Sequence, residues 1–340
     1  MLESERKTYY ISRNGSDAGK GLAILLVIAA HNAILCTTSG TLQQWFYLFH
    51  VQFFFLIPFF YDVKTPMRRR DFLNPIIRCY VPYIWGFVIT YLGYHLFIAP
   101  ELNWRLQEIV PAFIYGQQWQ LKEITGFYFL WFLPAFCSLT LLKNIFLIFP
   151  QYGKIILLSF VVLAVFPIAA NQSVSKIFYW LYKMPFQLYH ASYFFCMGIL
   201  AYYVFQNIIM IRYGKLILLT MACIVFLYGT IAGYPNYGES HYLLRFLMPI
   251  AFLYIILLSE NILKKSGFLQ KLGQHSFVIY LVHVVVYNVF VRAAGFMHIK
   301  TNIFVGLIVF ALTVFVSFAF SVVITNFPKI KTIFFPRGIR

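Results

Sequence analysis

The sequence predicts an all-α, polytopic membrane helix bundle of about ten transmembrane helices, with both termini in the cytoplasm. Three observations carry that prediction. First, the 340 residues are 61% hydrophobic and 21% aromatic, and only 11% are charged. A water-soluble chain carries about 25% charged residues, so this one cannot cover a water-facing surface. Second, apolar stretches of about 20 residues, the length that crosses a bilayer, recur along the whole chain. Third, Lys and Arg alternate between successive loops in a way that assigns each loop a side. The same composition excludes a disordered chain and a disulfide scaffold. Cys36, Cys79, Cys137, Cys196 and Cys223 stand singly in or beside apolar runs, with no C-x-x-C pair. Neither a structural zinc site nor a redox compartment follows from them, and no metal is expected.

The first apolar segment, Lys20–Cys36, follows a polar stretch that lacks the small-residue site of a cleavable signal. The second, Gln44–Asp62, is aromatic-rich and interrupted by His50 and Gln52. Tyr80–Ala99 is the third, and the long loop Pro100–Gly126 separates it from the fourth, Phe127–Phe149, which opens on a proline-broken Trp131–Pro134. Gly153–Asn171, Gln187–Gln206, Lys215–Gly233, His241–Glu260, Ser276–Phe296 and Asn302–Thr325 complete the set, joined by short loops. The expected organisation is a single membrane domain over residues 1–340: a cytoplasmic N-terminus (1–19), the bundle (20–325) and a cytoplasmic tail (326–340).

The formal charge is +17, and nucleic acid is one reading of such a balance. With the N-terminus inside, the inner loops hold 20 Lys and Arg: Arg6, Lys7, Arg13, Lys20, Lys64, Arg68, Arg69, Arg70, Arg78, Lys143, Lys154, Arg212, Lys215, Lys264, Lys265, Lys271, Lys329, Lys331, Arg337 and Arg340. The outer set is Arg105, Lys122, Lys176, Lys183, Arg245, Arg292 and Lys300, seven in all. An error in span number would scramble this alternation. It also accounts for most of the charge without nucleic acid. No repeat relates the two halves, which counts against a transporter built from inverted repeats.

Ionisable residues inside spans are costly and often functional. Lys20 and His31 are eleven residues apart in the first span, which at about 100° per residue places them within ~20° of one helix face. The rise between them is roughly 16 Å. Asp17, three residues before Lys20, lies on the same stripe near the expected helix N-terminus, where a carboxylate is favoured. An imidazole takes a proton from a hydroxyl near neutral pH, and a cation at the inner mouth suits an anionic cofactor. The competing reading has His31 hydrogen-bonded to a neighbouring helix and Lys20 snorkelling. His50 in the second span, Trp131 at the start of the fourth and His283 in the ninth are weaker candidates one by one. His95, His190, His241, His275 and His298 lie at span ends and read as interfacial anchors. Arg245 and Arg292 read as snorkelling side chains. The block Arg68–Arg70 with Arg78 reads as topology signal or lipid contact on spacing alone.

Taken together, these phrases resemble the acyltransferase-3 family of integral-membrane acyltransferases. Asp17-x-x-Lys20-Gly21-x-Ala23-Ile24 followed by His31 resembles its first span, a basic residue, ten residues, then histidine. Phe49-His50-x-x-Phe53-Phe54-Phe55-Leu56 resembles its second-span phrase. Arg78-Cys79-Tyr80-Val81-Pro82-Tyr83 resembles the start of its third, and Leu130-Trp131-Phe132-Leu133-Pro134 its Trp-Phe-Leu-Pro span. Phe194–Gly198 fits a later aromatic–Gly phrase. Leu272-Gly273-x-x-Ser276 with Tyr280-Leu281-Val282-His283 resembles its late signature. Two places depart from the pattern. Ile57-Pro58 stands where the family has Ser-Gly, and Pro75 occupies the place three before Arg78, with Arg68–Arg70 as substitutes.

The resemblance implies transfer of an acetyl group from cytoplasmic acetyl-CoA, a co-substrate, to a sugar hydroxyl of a surface polysaccharide or its lipid-linked precursor. The expected setting is the bacterial inner membrane. His31 would be the general base or carry a transient acyl group, with Asp17 and Lys20 as its catalytic companions. Lys20, Arg68, Arg69, Arg70 and Arg78 would bind the donor, and His50, Trp131 and His283 would line the substrate cavity. Partners are then acetyl-CoA, a glycan or lipid-linked sugar, and membrane lipids, without nucleic acid. A transporter or flippase of anionic or glycolipid cargo is the alternative, and a small-molecule acyltransferase a third reading.

Overall fold

The computed structural model describes residues 8–36, 40–62, 68–97, 106–159, 184–232 and 242–336. Every regular element among them is helical. Six helices are long and apolar enough to cross a membrane: Arg69–His95, Phe129–Ile148, Pro185–Ile209, Gly214–Ile231, Gly267–Phe296 and Ile303–Asn326, with Leu244–Leu258 a shorter apolar one. These correspond to the third, fourth, sixth, seventh, ninth, tenth and eighth predicted spans. The fifth, Gly153–Asn171, lies mostly outside the described residues.

Ile303–Asn326 displays the membrane pattern directly. Its buried face is Gly306, Val309, Thr313, Ser317 and Ser321, whereas Phe304 and Phe315 are 71% and 69% exposed. Large apolar groups point outward and small or hydroxyl groups inward. Helices surrounded by lipid pack this way, because water no longer drives the large side chains inside.

The chain forms two compact units, Met1–Val63 with Met197–Val323, and Lys64–Cys196 with Ile324–Arg340. In the first, residues 8–12 are extended and strapped by side chains. Tyr9 N–H donates to Gln206 Oε1 at 2.9 Å, and Gln206 Nε2 donates to Tyr9 O at 2.7 Å. The Tyr9 hydroxyl donates to Glu260. Burial, reinforced by that carboxylate, holds the Tyr9 phenol above its ordinary range. Helix Arg13–His31 follows, capped by the Ser12 hydroxyl, which accepts from Gly15 N–H at 3.1 Å.

This helix lies along Gly267–Phe296. A Cβ on Gly21 would overlap the Leu269 carbonyl, and one on Gly273 would overlap the Asp17 carbonyl. The two backbones therefore touch, each through the other's glycine.

Three sequence expectations are corrected here. The first helix runs Arg13–His31 rather than Lys20–Cys36. Ser12 starts it early, and Asn32 ends it. Asp17 consequently sits beyond the first turn, away from the helix N-terminus. The second apolar segment, expected as one span over Gln44–Asp62, is broken into Thr41–Tyr47, Gln52–Leu56 and a 3₁₀ turn Ile57–Phe60. Pro58 lacks an N–H and disrupts the helix. Carbonyls at the break are met by side chains instead. His50 Nδ1 pairs with Phe46 O, and Gln52 Nε2 donates to Tyr47 O at 2.8 Å. Aromatic packing of Phe49 on Phe226 and Phe252 holds the break in place. The long loop Pro100–Gly126 holds two helices, Leu106–Tyr115 and Gln118–Thr125. Left-handed Gly116 (φ 62°) and Gly126 (φ 73°) end them.

In the second unit, Arg69–Phe97 packs on Phe132–Ile148, and Gly86 admits Leu130. The tail helix Pro328–Phe334 returns to Arg69–Phe97, with Phe334 4.9 Å from Trp85 between ring centres.

Candidate active site

The C-terminal end of the first helix builds a three-histidine centre in the first unit. His31 is its last residue. The break in the second segment delivers His50, and the middle of Gly267–Phe296 delivers His283. Ring centres lie 5.1 Å apart for His31–His283 and 6.3 Å for His31–His50. Tyr47 stands edge-on to His31 at 5.7 Å and near His50 at 5.1 Å.

All three imidazoles are oriented the same way. His31 Nδ1 bonds Val27 O at 2.8 Å, His283 Nδ1 bonds Tyr280 O at 2.7 Å, and His50 Nδ1 bonds Phe46 O. A carbonyl only accepts, so each Nδ1 carries its proton and each Nε2 carries the lone pair. His50 and His283 are fully buried, whereas His31 is half-buried. Nε2 of His50 is buried without a hydrogen-bond partner among the described residues.

Asn32 fixes this end of the helix. It is fully buried, its Nδ2 donates to Gly306 O at 2.8 Å, and its Oδ1 accepts from Ile34 and Leu35 N–H at 3.1 and 3.2 Å. Ala33 N–H donates to the Tyr287 hydroxyl at 2.9 Å. Asn32→Ala is expected to cost about 1–3 kcal/mol of stability by leaving these groups unpaired, and to lower activity because His31 is the adjacent residue. Thermal denaturation of the purified variant measures the first effect.

Three turns before the centre, Lys20 Nζ pairs with Asp17 Oδ1 at 2.6 Å. Asp17 is buried and Lys20 a quarter exposed. The continuous helix from Arg13 to His31 places Lys20 and His31 on the face that the spacing predicted.

Other predicted site residues belong to the second unit. Arg68, Arg69, Arg70 and Arg78 are exposed around the start of Arg69–Phe97, and Arg68 N–H donates to Asp71 Oδ2 at 2.7 Å. Trp131 lies beside His190, with ring centres 5.4 Å apart. Of the predicted cavity residues, His50 and His283 are therefore gathered around His31, and Trp131 stands with a different histidine.

Sequence reasoning passed over Asn32 and Tyr47 and read His190 as an interfacial anchor. Of the histidines read as interfacial anchors, His190 bonds Gln187, His275 Nδ1 pairs with Ser321 Oγ at 2.9 Å, and His95 is buried against Tyr91. His298 lies in an exposed turn with φ 54°, and His241 lies outside the described residues. Among the described residues no group of three His, Cys, Asp or Glu is arranged to hold a metal ion.

A protein-family model described as "Acyltransferase domain", that of the acyltransferase-3 family, matches residues 13–322. Its span contains every residue of the three-histidine centre and the Asp17–Lys20 pair. No curated protein and no solved structure gives a significant match. The chain belongs to the acyltransferase-3 family and is a membrane-embedded acyltransferase.

Proposed function

We propose that this protein transfers an acetyl group from cytoplasmic acetyl-CoA to a sugar hydroxyl of a cell-envelope polysaccharide or its lipid-linked precursor. The proposed setting is the bacterial inner membrane, with about ten spans and both termini in the cytoplasm. The observation that carries the chemistry is His31: a half-buried imidazole at a helix end, with Nδ1 bonded to Val27 O and the lone pair therefore on Nε2.

In this reading the acceptor hydroxyl gives its proton to His31 Nε2 as its oxygen attacks the thioester carbonyl. The tetrahedral intermediate collapses, the C–S bond breaks, and the CoA thiolate takes the proton from the imidazolium. The products are an acetyl ester and CoA, and His31 returns to its starting state. His50 and His283 supply neutral imidazoles to the same centre, with His50 Nε2 open to a hydroxyl donor. Asp17 holds Lys20 on the face of the helix that leads to His31.

The cations that the resemblance implies for the phosphates of the donor are Lys20, Arg68, Arg69, Arg70 and Arg78. Arginine pairs with phosphate bidentately, and the start of a helix adds N–H groups and a positive dipole end. Replacing Arg68–Arg70 with Ala is expected to raise the KM for acetyl-CoA and to leave kcat comparatively intact, as loss of uniform binding does. Steady-state kinetics on purified protein measures it; a fall in kcat at unchanged KM contradicts the assignment. The acceptor side is tested by comparing ester-linked acetate on surface polysaccharide from cells with and without the protein. Equal acetate in both rules out a polysaccharide acceptor.

A further inference from the structure

Breaking the second segment frees backbone carbonyls, and side chains of the same segment answer them. His50 uses its Nδ1–H on Phe46 O, and Gln52 uses an N–H of Nε2 on Tyr47 O at 2.8 Å. What each keeps is an acceptor. His50 Nε2 and Gln52 Oε1 are both buried, and neither has a hydrogen-bond partner among the described residues. His50 is the more demanding case, because the whole residue is buried. A lone pair taken from water without a donor to replace it is costly. In a folded protein such a group has a cause, and a catalytic role, a bound water and a ligand are the ordinary ones.

The position of His50 narrows the choice. Its ring centre lies 6.3 Å from that of His31, and Tyr47 stands beside both imidazoles, at 5.1 Å from His50 and 5.7 Å from His31. All three residues belong to the first unit. A group held at His50 is therefore a neighbour of the group that gives its proton to His31. The reacting end of acetyl-CoA does not suit His50, since a thioester carbonyl and sulfur carry lone pairs and no N–H or O–H. A hydroxyl does suit it. Hydroxyls on adjacent carbons of a pyranose are about one hydrogen-bond length apart, and the bond from a hydroxyl to an imidazole nitrogen has a similar length, about 2.8 Å. One sugar reaches both rings through two neighbouring hydroxyls.

We propose that the acceptor is a vicinal diol: one hydroxyl is acetylated through His31, and the hydroxyl on the adjacent carbon donates to His50 Nε2. His50 is then a binding residue that selects the acceptor and sets which hydroxyl meets His31. The diol rests on the reading of the acceptor as a sugar, and it narrows that reading to sugars with two adjacent free hydroxyls. A sugar whose neighbouring hydroxyl is missing leaves the buried lone pair unfilled and is rejected for that reason.

The test uses full-length protein in lipid nanodiscs, radiolabelled acetyl-CoA, and dodecyl glycosides of glucose, galactose and rhamnose as acceptor probes. Product analysis identifies the hydroxyl that wild-type protein acetylates, and analogues deoxygenated at the carbons beside it are compared with the parent glycoside. One of them is expected to lose about 10–100-fold in kcat/KM. His50→Asn keeps a side-chain N–H near the position of Nδ1 for Phe46 O and removes Nε2. It should lose to a similar extent on the parent glycoside and no longer distinguish parent from analogue. His50→Gln places an amide oxygen near the position of Nε2 and should go on rejecting the analogue. An unchanged kcat/KM of wild-type protein for every such analogue overturns the diol and leaves the sugar acceptor standing; this comparison decides whether or not a variant folds. Acetylation of the primary hydroxyl, whose neighbouring ring carbon carries no hydroxyl, overturns the diol as well. Equal losses by His50→Asn on parent and analogue overturn the role of His50, because they show a structural histidine. Failure of the wild type to acetylate any glycoside, with His31-dependent hydrolysis of acetyl-CoA intact, overturns both the diol and the sugar reading.

Discussion

His31→Gln is expected to lower acetyl transfer by about 10²–10⁴-fold, the range for removing a general base, while the protein reaches the membrane at its normal level. Glutamine fills similar space and can still hydrogen-bond, but it does not take a proton at neutral pH. It should therefore be as inactive as His31→Ala. Neither variant should unfold the protein, because the end of the first helix is secured by Asn32 and Gly306 rather than by the His31 ring. A merely structural histidine predicts the opposite order, with Gln close to wild type and Ala misfolded. Acetyl content of the surface glycan in cells making equal amounts of each variant separates the two. Substantial acetylation by His31→Gln would move the catalytic assignment to His50 or His283.

A comparably large loss, by another route, is expected of Gly273→Ala. The added methyl group would occupy the position of the Asp17 carbonyl oxygen. That neighbour is backbone, so no side-chain rotation relieves the overlap. The first helix must move away from Gly267–Phe296. Overpacking costs typically 1–3 kcal/mol, occasionally more, and a backbone contact places this variant at about 3 kcal/mol or above. The same displacement would separate His31 from His283, so activity falls with stability. Gly295→Ala is the matched control on the same helix, since nothing lies within 4 Å of its added Cβ. It should be neutral or slightly stabilising, as alanine is the better helix former. Thermal denaturation in detergent should show a large drop for Gly273→Ala and none for Gly295→Ala. Similar midpoints for both would contradict the close crossing of these helices.

Most of the fold class was legible because hydropathy and length decide which helices suit a bilayer, and they do so locally. The Lys20–His31 relation was legible for the same reason: both lie on one unbroken helix, where spacing fixes the face. The His31–His50–His283 meeting was not a matter of spacing. It depends on a break in the second segment that delivers His50 and on two glycines that bring the first helix onto the ninth predicted span. Gly21 and Gly273 were visible as part of the family phrases, but their role as mutual contact points appears only when both backbones are placed. Asn32 went unnoticed because the apolar run continues to Cys36 and conceals a helix end. His190 reads as an anchor because it stands at a span end. The signal that it is hydrogen-bonded within the fold is Gln187 three residues earlier, one helical turn away, beyond Pro185 and the left-handed turn.

The proposed reaction takes place at one nitrogen, His31 Nε2, and the most direct test follows both of its products. Purified protein in nanodiscs is given radiolabelled acetyl-CoA and a glycoside acceptor, and released CoA and acetylated glycoside are measured together, beside His31→Gln at equal protein. The account predicts that wild-type protein forms the two products in equal amounts and that the variant forms neither above background. CoA release and glycoside acetylation that persist in His31→Gln, or acceptor movement across the membrane with no CoA released by the wild type, would contradict it.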